Sequence, residues 1–180
     1  MTQTGIALPW RVAAAAWAIV GWTAALALAI ARLSVYALDA ISMGLDAVQL
    51  AVLAGNTALL AWAEGYRGFQ QRFSPRAAAR VLYLYRHATP ATAWLAPLFC
   101  VGFFGATPRV LRLTWVGAAL IVLLVVLVHG MDQPWRGIID AGVVVGLTWG
   151  LLSFLALCVR AFGSGDYPAD PAVPGPRQRL

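Results

Sequence analysis

Four times along this chain a run of membrane-crossing length passes without a charged side chain. Val12 to Ala31 gives twenty such residues between Arg11 and Arg32, and Ala47 to Ala63 gives seventeen between Asp46 and Glu64. Leu113 to Met131 gives nineteen between Arg112 and Asp132, and Ala141 to Val159 gives nineteen between Asp140 and Arg160. A helix rises about 1.5 Å per residue, so roughly 20 apolar residues cross a hydrocarbon core of ~30 Å. The composition agrees: 61% of residues are hydrophobic and 11% charged, with a mean hydropathy of +0.76. Soluble domains carry about 25% charged residues. The expected fold is all-α: a polytopic helical membrane bundle with spans at about 12–31, 47–63, 113–131 and 141–159. Residues 1–162 are expected to form a single membrane domain. A cleavable signal peptide ending at Ala27-Leu28-Ala29 is the alternative for the first run, which is longer than the usual 7–15 apolar residues of such a peptide.

The net charge of +6 comes from arginine alone, since the chain has no lysine. With abundant Ala, Gly and Pro, this points to a bacterial genome of high GC content. Seven of the thirteen arginines lie between Glu64 and Arg112: Arg67, Arg72, Arg76, Arg80, Arg86, Arg109 and Arg112. One arginine at the centre of a membrane helix costs roughly 2.5–3.5 kcal/mol on insertion scales, so the seven are expected to share an aqueous face and to contact lipid headgroups or a partner. Within this stretch, Ser74-Pro75 has the form of a helix start. A helix from Pro75 to His87 would set Arg76, Arg80, Tyr83 and His87 on one side and Ala78, Val81, Leu82 and Tyr85 on the other, an amphipathic helix lying on anionic lipid. Upstream, the glycines of Gly65-Tyr66-Arg67-Gly68-Phe69 suggest a turn near the headgroups. The apolar run Ala91 to Ala106 is broken by Pro97, Gly102 and Gly105 and reads as re-entrant or interfacial rather than as a span.

Charge counting sets the topology. With four spans and both termini inside, eleven arginines are cytoplasmic, against Arg32 and Arg136 outside; with a fifth span through Ala91 to Ala106 the split is seven to six. The positive-inside rule favours four spans, a cytoplasmic basic region over 64–112 and an inner-membrane location. The tail from Gly163 to Leu180, with four prolines and three glycines, is expected to be disordered.

Three groups of residues inside or beside the spans stand out. Asp39, Ser42, Asp46, Gln49 and Asn56 fall at steps of three, four, three and seven, which on one helix make a polar stripe leading into the membrane. Water and neighbouring helices account for such a stripe, and a proton or ion path is the alternative. Arg136 and Asp140, four apart, are expected to pair at the outer mouth of the fourth span. Gly142, Gly146 and Gly150 form a double GxxxG ridge for close helix packing, with the third span as the expected partner. Cys100 and Cys158 sit in apolar runs with no CxxC partner, and His87 and His129 flank different segments, so no cofactor or metal is expected. No nucleophile with a neighbouring base is apparent, so catalysis is not expected.

Three stretches resemble a family of uncharacterised proteobacterial inner-membrane proteins: Tyr66-Arg67-Gly68-Phe69-Gln70 leading to Phe73-Ser74-Pro75-Arg76, Ala96-Pro97-Leu98-Phe99-Cys100 leading to Ala106-Thr107, and Gln133-Pro134-Trp135-Arg136-Gly137-Ile138-Ile139-Asp140-Ala141-Gly142. The similarity covers about residues 60–155. A histidine precedes the Ala-Thr pair in that family, where this chain has Gly105. The resemblance implies a membrane location and brings no activity. The expected function is therefore a structural or assembly protein of the inner membrane, without catalysis of its own. Its partners would be the lipid bilayer and a larger membrane complex or a homo-oligomer, not nucleic acid; a small transporter or channel component using the polar stripe is the alternative.

Overall fold

The computed structural model describes residues 7–163 and 167–174. Their regular structure is helical throughout: α1 (Leu8–Ser42), α2 (Ala47–Leu60), a π-helical segment π1 (Ala61–Phe73), α3 (Ser74–His87), α4 (Pro90–Trp94), α5 (Ala96–Val101), α6 (Pro108–His129) and α7 (Trp135–Gly163). Four helices, Leu8–Ser42, Ala47–His87, Pro108–His129 and Trp135–Gly163, are long and apolar enough to cross a membrane. Three of them contain a whole uncharged run, and Pro108–His129 contains the third run up to its last two residues, Gly130 and Met131.

The helices outrun those runs. α1 has no glycine or proline between Gly21 and Met43, so nothing in its backbone stops it at Arg32, and it continues for 35 residues, ~52 Å. Gly44, at φ +79°, makes the corner that follows, a conformation strained for residues with a side chain. Asp46 then caps α2: its carboxylate accepts from Gln49 N at 2.8 Å while Gln49 Oε1 accepts from Asp46 N at 3.0 Å, a reciprocal capping box.

α2, π1 and α3 form one uninterrupted helix of 41 residues. Ser74-Pro75 does not start a helix, because Phe73 is already helical and no side chain caps the turn. A proline inside a helix removes a hydrogen bond and crowds the carbonyl four residues back. The turns before it are wound wider, as π-helix, and the chain passes through without a break. The expected turn at Gly65 to Phe69 is accordingly helical. Ala91 to Ala106 holds only the five-residue α4, the six-residue α5 and a non-helical return, so it forms no helix of spanning length.

The chain divides into two compact units. The first lies within Met1–Thr23, Phe73–Gly117 and Phe154–Leu180. Alanines of α1 (Ala14, Ala15, Ala18) and α3 (Ala77, Ala78) join Val81, Leu84, Phe99, Cys100, Phe154 and Cys158 in its core. A Cβ on Gly21 would fall 2.6 Å from Pro97, so only glycine lets α1 and α5 meet there. The tail expected to be disordered is packed over 167–174: Tyr167 and Val173 lie against the core, and Thr107 N donates to Ala172 O at 2.9 Å. Composition alone hid this, because what holds the tail is polar backbone elsewhere in the chain. Residues 164–166 and 175–180 of the same tail lie outside the described residues.

The second unit lies within Ala24–Arg72 and Ala118–Ser153. Gly142, Gly146 and Gly150 of α7 are buried, but their neighbours belong to α2 and π1 rather than to the third span. Gly142 meets Asn56 and Leu60, Gly146 meets Glu64 and Leu60, and Gly150 meets the Phe69 ring. The groove is filled from the other side by Gly65, where a Cβ would lie 2.9 Å from Trp149 Cβ. The expected partner, α6, exposes Leu120 to Leu127 and offers no such match. Gly137 closes the other flank against Tyr36 O and Ala40 of α1.

Candidate functional site

Arg80, expected on a lipid-facing surface, is fully buried in the first unit. Its Nε donates to Phe99 O at 2.6 Å, Nη1 to Pro171 O at 3.0 Å, and Nη2 to Phe104 O at 2.9 Å and Gly105 O at 3.0 Å. The guanidinium carbon lies 3.9 Å from the centre of the Phe99 ring. Five N–H groups in a rigid fork suit several carbonyls at once, and such saturation is what makes a buried charge tolerable. The acceptors come from the end of α5, where Phe99 O also accepts from Gly102 N, from the return at Phe104-Gly105, and from the tail. Gly105 is needed here, since its φ is +58° and a Cβ would come within 2.9 Å of Phe99. Arg80 thus ties α3, α5, the return and the tail together, and belongs to the fold rather than to a docking face.

The other arginines of the basic region separate. Arg76 is half-buried, while Arg86, Arg109 and Arg112 are exposed in the first unit and Arg67 and Arg72 are exposed in the second. Arg67 stacks on Trp62, its guanidinium carbon 4.9 Å from the ring centre. Glu64, Gly65 and Phe69 pack beside Gly146, Trp149 and Gly150, in the middle of the uncharged run of α7, and Trp149 Nε1 donates to Gln70 Oε1 at 2.6 Å. The basic region therefore does not begin at Glu64: residues 64–70 lie level with the middle of α7. The cause is the unbroken helix, which carries the polar sequence onward along α7 instead of turning it out.

Charge is segregated between the units. Among the described residues, seven arginines and one acid fall in the first, four arginines and five acids in the second, a formal +6 against −1. Residues 7–23 and 73–117 contain no acid at all.

The expected polar stripe is not one face. The corner at Gly44 leaves Asp39 and Ser42 on α1, where Ser42 Oγ donates to Asp39 O at 2.7 Å, and spends Asp46 and Gln49 on the cap of α2. Asn56 Nδ2 donates across to α7, to Ile138 O at 2.9 Å and Ile139 O at 3.3 Å. Asp39 accepts from Gln133 Nε2 at 2.9 Å, and the same nitrogen lies 3.1 Å from Tyr36 O. Arg136 Nε and Asp140 Oδ2 are 3.8 Å apart, with Asp140 buried and Arg136 over the Tyr36 ring at 3.6 Å. These contacts tie α1, α2 and the start of α7 together at fixed points.

Cys100 is buried beside Phe99, and burial pushes its thiol well above the ordinary range. Among the described residues, no three of His, Cys, Asp and Glu converge as metal ligands would. Three residues that the sequence reading passed over, Trp10, Trp17 and Trp94, line an open apolar groove in the first unit. Their signal was the proximity of Trp10 to Arg11 and of Trp94 to Pro90, aromatic and helix-start chemistry typical of a membrane interface. No protein-family model, curated protein or solved structure matches this chain.

Proposed function

We propose that this is a non-catalytic structural or assembly protein of a bacterial inner membrane, crossing four times with both termini in the cytoplasm and docking its basic first unit on the anionic inner leaflet. The observation that carries it is the charge segregation among the described residues, +6 in one unit against −1 in the other. Cationic side chains close to an anionic leaflet contribute about 1 kcal/mol each and bias orientation toward the cytoplasm. Arg86, Arg109 and Arg112 are the exposed members of this face; Arg80 is excluded from it by burial. The α2, π1 and α7 interlock supplies a stiff scaffold. The transporter alternative loses its support, because the stripe it needs is divided between a corner, a cap and a helix crossing.

The test is purification of the full chain in mild detergent, followed by analysis of what comes with it. Bound lipid should be enriched in anionic phospholipid relative to the starting membrane, and a stoichiometric protein partner would place the same face in a complex. Lipid of bulk composition with no partner would contradict the proposal.

A further inference from the structure

π1 carries two opposite charges that the chain leaves unmatched. Residues 64–69 run beside Gly146 to Gly150 of α7, and from those glycines the uncharged run continues five residues back to Ala141 and nine on to Val159, about 8 Å and about 14 Å of helix. Glu64 and Arg67 therefore stand well inside the depth of that run. Ionised side chains at such a depth are rare, and they pair with one another or face a protected interior.

In an α-helix, residues three apart are neighbours, and a Glu and an Arg at that spacing pair. Here the turn is wound wider, with bonds between residues five apart, and Arg67 lies over the ring of Trp62, five residues back, its guanidinium carbon 4.9 Å from the ring centre. Glu64 is turned toward α7, with Oε2 3.1 Å from where a Cβ on Gly146 would stand. Among the described residues, neither side chain has a hydrogen bond or an ion pair. Arg67 is exposed, and Glu64 keeps part of its surface open. Trp62, under the guanidinium, is 53% exposed and Tyr66 39%. Arginine and aromatic rings are the side chains that anchor protein interfaces.

Charge and depth together select what covers this face. Rotation about the membrane normal leaves every residue of a second copy at its own depth, so the copy brings a Glu64 within about one helical turn of the level of Arg67, and the reverse holds for its own Arg67. The other acids of the second unit are placed elsewhere: Asp46 caps the start of α2, Asp39 accepts from Gln133, Asp140 pairs with Arg136, and Asp132 precedes α7. We infer that a second copy of this chain packs on the open face of π1 about a two-fold axis along the membrane normal, with Arg67 of each copy paired to Glu64 of the other. The inference rests on the reading of the chain as a membrane-crossing assembly protein and names the assembly as a dimer.

The test is disulfide cross-linking in native membranes, with Tyr66→Cys in a full chain whose Cys100 and Cys158 are replaced by alanine and copper phenanthroline as the oxidant. A covalent dimer is expected at position 66, and none from Leu123→Cys on the exposed side of α6. Sedimentation of the native chain in mild detergent should show a dimer. Arg67→Gln and Glu64→Gln should each weaken it about tenfold, and the double variant should lose no more than either single, since both residues belong to one pair. Arg67 makes no hydrogen bond in the monomer, so Arg67→Gln should leave the monomer melt unchanged; if Glu64→Gln folds poorly, Arg67→Gln with the cross-link at position 66 still decides. The inference is overturned by a monomer in both membranes and detergent, by a cross-link at position 66 that joins a different protein or is no stronger than at position 123, or by full additivity of the two glutamine variants. If anionic lipid still co-purifies as proposed while no dimer forms, the inference fails and the broader reading stands.

Discussion

Arg80 donates to the backbone of the residue whose ring it covers, its Nε 2.6 Å from Phe99 O and its guanidinium carbon 3.9 Å from the centre of the Phe99 ring. The same side chain reaches Pro171 in the tail, so one arginine sets the position of three separate stretches. Arg80→Ala removes four hydrogen bonds, one to a buried carbonyl and three to part-buried ones, together with the ring contact, and loss of stability on the order of 3 kcal/mol is expected. Arg80→Lys offers a single nitrogen instead of a fork and should recover only part of it. Thermal melts in detergent compare the two, and proteolysis after the mutation should cut first within 167–174.

Gly146→Leu is expected to destabilise the monomer by about 1–3 kcal/mol, because the new side chain would enter the space held by Glu64 and by the Leu60 carbonyl. A detergent melt of the monomer reads this directly. Unchanged monomer stability with loss of an oligomer would place the glycine contact between chains instead.

Asn56→Leu removes two hydrogen bonds to α7 carbonyls that also belong to the helix of α7. The expected cost is about 0.6 kcal/mol, the usual size of a side-chain hydrogen bond between membrane helices. A chemical denaturation series in mixed micelles checks it.

The long elements were legible because their signal is length without charge, which Val12 to Ala31 and Ala141 to Val159 display directly. What the sequence did not show is set by contacts distant along the chain. Arg80 looks like any other arginine on the polar side of an amphipathic helix until Phe104, Gly105 and Pro171 supply carbonyls for it. Ser74-Pro75 looks like a helix start because local capping chemistry says so, and only the π-wound approach lets the helix run through. The glycine ridge was visible as spacing, but its partner depends on Gly65 and Phe69, which local rules read as a turn. The stripe failed at one residue, Gly44, whose left-handed conformation separates α1 from α2.

Cys100 should react slowly with maleimide in the folded protein. Burial favours its neutral thiol, so at pH 8 it holds less thiolate than an ordinary cysteine, and raising the pH through the ordinary thiol range should speed labelling little. Unfolding in SDS should make labelling rapid. The comparison is made by mass spectrometry of the labelled chain, and fast labelling in the native state would show that the α5 region opens.

The side of the membrane that the basic unit occupies decides the account. Arg109 is exposed in the first unit, and Asp132 is exposed in the second, between α6 and α7. Arg109→Cys and Asp132→Cys, each in a chain with Cys100 and Cys158 replaced by alanine, are treated in intact cells and in inverted membrane vesicles with a membrane-impermeant maleimide. The four-span orientation predicts labelling of position 132 in intact cells and of position 109 only in inverted vesicles. Labelling of position 109 in intact cells would put the basic unit on the outer side and contradict the account.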